Sequence, residues 1–150
     1  MVYVATLHRK NSLEFQGYHY KFVKLNPKKF FGYKEIEIDN NPINIAEKEK
    51  AIIDCLDQER YSGTILETAK ALKEGKKELD FEVLIDYAIK MNNFSLNRRL
   101  GYLLDELNID SKKLENLIGD YRPVYLSTKL PSKNKKYEKN KKWKLIINVD

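Results

Sequence analysis

The spacing of apolar and polar residues changes character about a third of the way along the chain. Up to residue 45 the period is short and two-fold. Residues 2–5 (Val-Tyr-Val-Ala) form a brief, partly β-branched apolar run. Leu13 to Phe15 and Tyr18 to Leu25 flank Gln16-Gly17, where glycine supplies the positive φ of a tight turn. In the second arm Tyr18, Tyr20 and Phe22 fall on one face and Lys21 on the other, the alternation of a half-buried strand. Pro27 to Gly32 reads as one helical turn closed by glycine. Residues 33–38 and 42–45 bracket Asp39-Asn40-Asn41, which predicts a second hairpin.

From Ala46 onward the period is helical. A helix over 46–57 turns Ile52, Cys55 and Leu56 to one side and places Glu47 and Glu49 in its first turn, where carboxylates suit the positive end of the dipole. A second, over 64–74, turns Ile65, Ala69 and Leu72 inward and stops at Gly75. The third has Asp80 as N-cap and Phe81, Leu84, Ile85 and Ala88 at i, i+3, i+4 and i+7. The fourth begins near Ser95 and stripes Leu96, Leu100, Leu103, Leu104 and Leu107 along one side. Ser111 caps a short fifth helix with Leu114, Leu117 and Ile118. Beyond Pro123, strands over 124–127 and 143–149 are joined by a lysine-rich loop. The pattern predicts an α+β fold: a small, mostly antiparallel N-terminal sheet, four to five central helices and a C-terminal β segment.

Composition narrows the class. The chain has 150 residues, 42% of them apolar and 33% charged, enough for one domain with a real core. Its apolar runs are far shorter than a membrane-spanning helix needs, and no signal h-region precedes them. A single cysteine excludes an internal disulfide, and two histidines make a zinc cage implausible. These features predict a soluble, cytoplasmic protein without a membrane partner or cofactor.

The net charge of +6 is concentrated. Residues 129–144 carry eight lysines against one acid, Glu138, so they hold +7, while the other 20 basic and 21 acidic residues nearly cancel. Pro131, Ser132, Asn134 and Asn140 favour a loop there, and lysines at that density repel one another. Lys133, Lys135, Lys136, Lys139, Lys141 and Lys142 are the candidate nucleic-acid contacts, because lysine runs bind phosphate by counterion release without reading sequence. The alternative is a solvated loop. DNA is the partner these residues suggest.

Catalytic motifs are absent. There is no glycine-rich phosphate loop, no cysteine pair and no His-Glu-x-x-His arrangement. Cys55 lies on an apolar helix face, as a core thiol does, His8 reads as a surface ring and His19 as a packed or hydrogen-bonded one. Glu35, Glu37 and Asp39 alternate along one strand and share a face, a metal-holding or simply solvated arrangement. No catalytic residue and no metal site is assigned. Within the fourth helix Gly101 implies the close approach of another backbone. Arg98 and Arg99 are expected to pair with acids of the first helix such as Asp54, or else to face a partner, and Trp143 to anchor the closing strand in the core, or else to stack on a base.

Several blocks, taken in order, carry a family resemblance. They are Tyr3-Val4-Ala5-Thr6, Leu13-Glu14-Phe15-Gln16-Gly17-Tyr18, Lys21-Phe22-Val23-Lys24 and Phe30-Phe31-Gly32-Tyr33. The strongest runs from Ile45 to Asp57, Ile-Ala-Glu-Lys-Glu-Lys-Ala-Ile-Ile-Asp-Cys-Leu-Asp. Arg99-Leu100-Gly101-Tyr102-Leu103-Leu104, Leu130-Pro131 and Trp143 to Val149 complete the set. Together they resemble the C-terminal domain of AbiEi-type antitoxins, transcriptional regulators of type IV abortive-infection toxin–antitoxin systems. The resemblance covers nearly the whole of residues 1–150 and rests on the order and spacing of its blocks.

The resemblance implies a non-enzymatic antitoxin domain that counteracts a nucleotidyltransferase-like toxin without a tight complex. Asp54, Arg99, Gly101, Tyr102 and Trp143 enter as structural members of its motifs. The family's N-terminal winged helix-turn-helix has no counterpart in these residues, so autorepression does not carry over. An excised domain, a truncated gene and a stand-alone form all fit. Ser127 stands where the family usually has an acid before its Leu-Pro pair.

Overall fold

A computed structural model describes residues 1–129 and 135–149. Its 40% helix and 24% strand make an α+β fold. Leu130, Pro131 and Lys133 lie outside the described residues.

Strand β1 (Val2–Thr6) opens the chain, followed by the hairpin β2 (Leu13–Phe15) and β3 (Tyr18–Lys24). Gln16 and Gly17 turn that hairpin, both with positive φ, at 50° and 76°. The order in this sheet is β1-β3-β2, and β1 runs parallel to β3, with Val2 opposite Tyr20 and Thr6 opposite Lys24. The β2–β3 pair is antiparallel, as expected of a mostly antiparallel N-terminal region, and β1–β3 is its parallel exception. Because β2 returns the chain to β3's other edge, the remaining edge is left to β1, which runs in β3's direction. Pro27–Lys29 form a single 3₁₀ turn capped by the Asn26 side chain. A second hairpin, β4 (Tyr33–Ile38) and β5 (Asn41–Ala46), also antiparallel as expected, turns through Asp39 and Asn40.

Six helices follow among the described residues: α1 (Lys48–Asp57), α2 (Glu59–Ser62), α3 (Ile65–Glu74), α4 (Phe81–Lys90), α5 (Phe94–Glu106) and α6 (Lys112–Glu115). Their starts follow cap chemistry. The Thr64 hydroxyl accepts from the Glu67 amide, and Asp80 accepts from Glu82 and Val83. Helix α5 is capped by Asn93, which accepts from Ser95 and Leu96, so the helix begins at Phe94, one residue before the expected start near Ser95. Ser111 precedes α6, but its hydroxyl is committed to Asp105 instead of the helix end.

The core belongs to the helices. Ile53, Leu56, Leu72, Leu84, Ala88, Leu96, Leu100 and Leu104 are fully buried or nearly so, and α5 is covered on most sides. The N-terminal sheet stands at its margin, with Phe15 and Tyr18 exposed. The chain closes with β6 (Val124–Tyr125), β7 (Glu138–Asn140) and β8 (Leu145–Ile147), ordered β6-β8-β7. Residues 138–140 were expected to be loop. They form a strand antiparallel to β8 because backbone pairing with Leu145–Ile147 outweighs the local repulsion between lysines. No helix among the described residues is long and apolar enough to cross a membrane.

Candidate functional site

Most of the residues singled out from the sequence gather around α1, α5 and the closing hairpin. In the second half of α5, Gly101 faces the indole of Trp143. A β-carbon on Gly101 would lie 2.1 Å from the ring's Cη2, so the close approach is made by a side chain and not by the expected backbone. Trp143 is fully buried, and its Nε1 donates to Asp105 Oδ2 at 2.7 Å. Asp105 also accepts from the Ser111 hydroxyl at 2.5 Å and from Lys142 at 2.7 Å. Burial pushes this carboxyl up, but the bonds from Lys142, Ser111 and Trp143 outweigh it and hold it below its ordinary range. Tyr102, half-buried, packs at the edge of the same core.

This geometry divides the lysine segment. Lys142 is drawn down onto Asp105 and Glu115, the latter at 3.4 Å, and is therefore a structural cation more than a surface contact. Lys144 is held by the Gly119 carbonyl and by Asp120. Lys135 lies 5.8 Å from the centre of the Tyr137 ring. Lys136, Lys139 and Lys141 are exposed, and no carboxylate among the described residues pairs with them. Lys133 lies outside the described residues.

The polar residues of α1 form a second line. Lys50, Asp54 and Asp57 recur at four- and three-residue spacing and so share a face. Lys50 is fully buried and paired with Asp54, its ammonium 4.9 Å from the Phe31 ring centre and 5.9 Å from that of Tyr33. Asp57 receives Lys29 on both oxygens at 2.7 Å and Asn93 at 3.1 Å. Burial raises Asp54 despite Lys50. At Asp57 burial pushes the same way, but the bonds from Lys29 and Asn93 prevail and lower it. Tyr33, half-buried beside this pair, is raised to about 12 by burial and by the Asp54 charge.

The expected pairing of Asp54 with Arg98 or Arg99 does not form. Lys50, one turn earlier on the same helix, takes Asp54 first. Arg98 Nη1 donates to the Arg122 carbonyl at 2.9 Å, and Arg99 Nε to the Tyr125 carbonyl at 3.2 Å, so both arginines bind the approach to and the start of β6.

Glu59 is a polar centre that periodicity gave no sign of. It is 3% exposed, and its carboxylate accepts from the Ile65 amide at 2.9 Å, the Ser127 hydroxyl at 2.5 Å and both the amide and hydroxyl of Thr128. Burial pushes this group up, and the four donors bring it below its ordinary value. Ser127, which the sequence marked only as a departure from the resembled family, is the residue that meets Glu59 here. A carboxylate at 127 would face Glu59 directly, and a hydroxyl donates to it instead.

Other candidates stay apart. Glu35 and Glu37 are exposed on β4, and among the described residues no group of three or more His, Cys, Asp or Glu is placed to hold a metal. Cys55 is half-buried and its thiol is pushed up by burial, against the requirements of a nucleophile. His19 stands 3.5 Å from Glu14 with both side chains exposed on the first hairpin, and His8 is exposed on the turn after β1. No protein-family model matches this chain, and neither does any curated protein or solved structure.

Proposed function

We propose that the chain is an antitoxin-type regulatory domain that counteracts a nucleotidyltransferase-like toxin, acts without catalysing a reaction, and contacts DNA through part of its lysine segment. The observation that carries this reading is mutual packing of the resembling blocks. Block 99–104 meets block 143–149 where Trp143 seats on Gly101, and block 45–57 packs as α1 against α5. Blocks that need one another to pack are determinants of a fold, so their joint order weighs more than any one of them. Their polar members, Lys50, Asp54 and Arg99, are committed inside the molecule. A partner is then met by other surfaces.

Growth rescue tests the proposal. The gene adjacent to this one is expressed from an inducible promoter, with and without these 150 residues. Rescue by the chain alone is the expected result. Continued toxicity in cells that accumulate folded chain overturns it.

A second reading, a stand-alone nucleic-acid module, is favoured by the three exposed lysines 136, 139 and 141, which no carboxylate among the described residues neutralises. Such a module binds DNA with steep salt dependence and little preference among sequences.

A further inference from the structure

A cleft of about 610 Å³ opens at the N-terminal end of α5. Asp105, where Lys142 and Trp143 dock, is twelve residues along from the Asn93 cap, roughly 18 Å away at 1.5 Å per residue. The cleft and the end of the lysine hairpin that docks on α5 therefore sit at opposite ends of one helix. Lys29, Arg98 and Arg122 line the cleft, and no carboxylate does. Lys29 is neutralised by Asp57, so the uncompensated charge comes from the two arginines. The dipole of the thirteen-residue α5 adds to it.

Arg98 is the unusual member. It is 2% exposed and no carboxylate among the described residues pairs with it. Nη1 donates to the Arg122 carbonyl and the guanidinium stands 5.3 Å from the centre of the Tyr121 ring, yet Nε is buried without an acceptor. A buried cation short of both a counter-charge and a hydrogen-bond acceptor is costly, and an anionic oxygen supplies both.

The mouth of the same cleft carries an aromatic platform. Phe94 and Tyr121 are exposed large rings, stacked with centroids 5.1 Å apart and planes at 28°. An exposed stacked pair beside uncompensated arginines offers a face for a planar base and a seat for the phosphate attached to it. From this juxtaposition we propose that the cleft binds a phosphorylated nucleotide, its phosphate against Arg98 and Arg122 and its base on the Phe94–Tyr121 pair. The ligand is either a free mononucleotide or the 5′-terminal nucleotide of an oligomer, since both present the same chemistry. The proposal is independent of the antitoxin reading.

The test is an amide chemical-shift titration of the isotope-labelled chain with AMP, GMP, adenosine, inorganic phosphate and a short RNA oligomer with and without a 5′-phosphate. A nucleotide or the phosphorylated oligomer is expected to give saturable shifts at Phe94, Arg98, Tyr121 and Arg122. Adenosine and inorganic phosphate should bind at least about tenfold more weakly than AMP, each lacking one half of the interaction. Tighter binding of the phosphorylated oligomer assigns the ligand to a nucleic-acid end, and tighter binding of AMP or GMP to the free nucleotide. Arg122→Glu, a change at an exposed residue, is expected to abolish binding with no loss of thermal stability. Lys73→Gln, a change at an exposed residue of α3 remote from the cleft, should leave it unchanged. The proposal is overturned by no saturable shift with any nucleotide or oligomer, by undiminished binding in R122E, or by inorganic phosphate binding as tightly as AMP.

Discussion

Trp143 occupies the space that a side chain on Gly101 would need. The ring lies against α5, fully buried, with its Nε1 anchored on Asp105 four residues further along the same helix. The closing hairpin is thereby clamped to the central helix by one aromatic plug, one hydrogen bond and the Lys142–Asp105 ion pair beside them.

Gly101→Ala should therefore destabilise by about 3 kcal/mol, since a methyl 2.1 Å from a buried ring forces that ring to move. In an open helix the same change would be stabilising by about 1 kcal/mol. Gly101→Leu should abolish folding. Urea unfolding measures both, and an alanine variant as stable as the parent would refute the clamp.

Glu59→Ala should cost about 3 kcal/mol, because it strands the buried donors of Ile65 and Ser127 and removes the partner of Thr128 at once. Ser127→Asp should be comparably harmful by setting a second carboxylate against Glu59. Thermal melts of the two variants, each expected well below the parent, give the comparison.

The Lys50–Asp54 pair predicts a non-additive result. Asp54→Ala leaves a fully buried ammonium without its partner and should cost about 3–5 kcal/mol. Changing both, Lys50→Met with Asp54→Leu, removes the charges together and should recover most of that loss. A double variant no more stable than Asp54→Ala would show that the pair is not what holds this face of α1.

Acid should unfold the protein through Asp57, Glu59 and Asp105. Each is held below its ordinary value by hydrogen bonds that outweigh burial. A carboxyl with a lowered folded-state pKa binds its proton less tightly when folded. The stability it confers is full above its unfolded pKa and is lost as pH falls through the folded one. Urea midpoints should accordingly be flat from about pH 7 to about pH 5 and drop below that. Glu59→Gln should flatten the drop while lowering the plateau.

If the lysine hairpin meets DNA, replacing Lys136, Lys139 and Lys141 with Gln should reduce the slope of log affinity against log salt by about 2–3, near 0.9 for each phosphate left without its lysine. Lys142→Gln should change that slope less, because this lysine is engaged with Asp105 and Glu115. Fluorescence anisotropy across a salt series reads both, and an unchanged slope in the triple variant would rule the hairpin out.

What the sequence determined by itself is what depends on neighbours a few residues apart. The periods of α3, α4 and α5, the Asp80 cap and the two hairpin turns are set by local sterics and hydrogen bonding, and they are legible without a partner in view. Tertiary structure decided what depends on distant ones. Residues 138–140 become a strand only because β8 lies beside them, and β1 runs parallel to β3 only because β2 has taken the other edge. Lys50, Glu59 and Arg98 are charged residues that any pattern would place at the surface, yet each is buried by packing. The cost of burying a charge is met by groups from remote parts of the chain. Phe31 and Tyr33 flank the Lys50–Asp54 pair, Ser127 and Thr128 serve Glu59, and the Arg122 carbonyl receives Arg98. Periodicity carries no record of which residues those will be, since long-range pairing is fixed only when the helices close around their core.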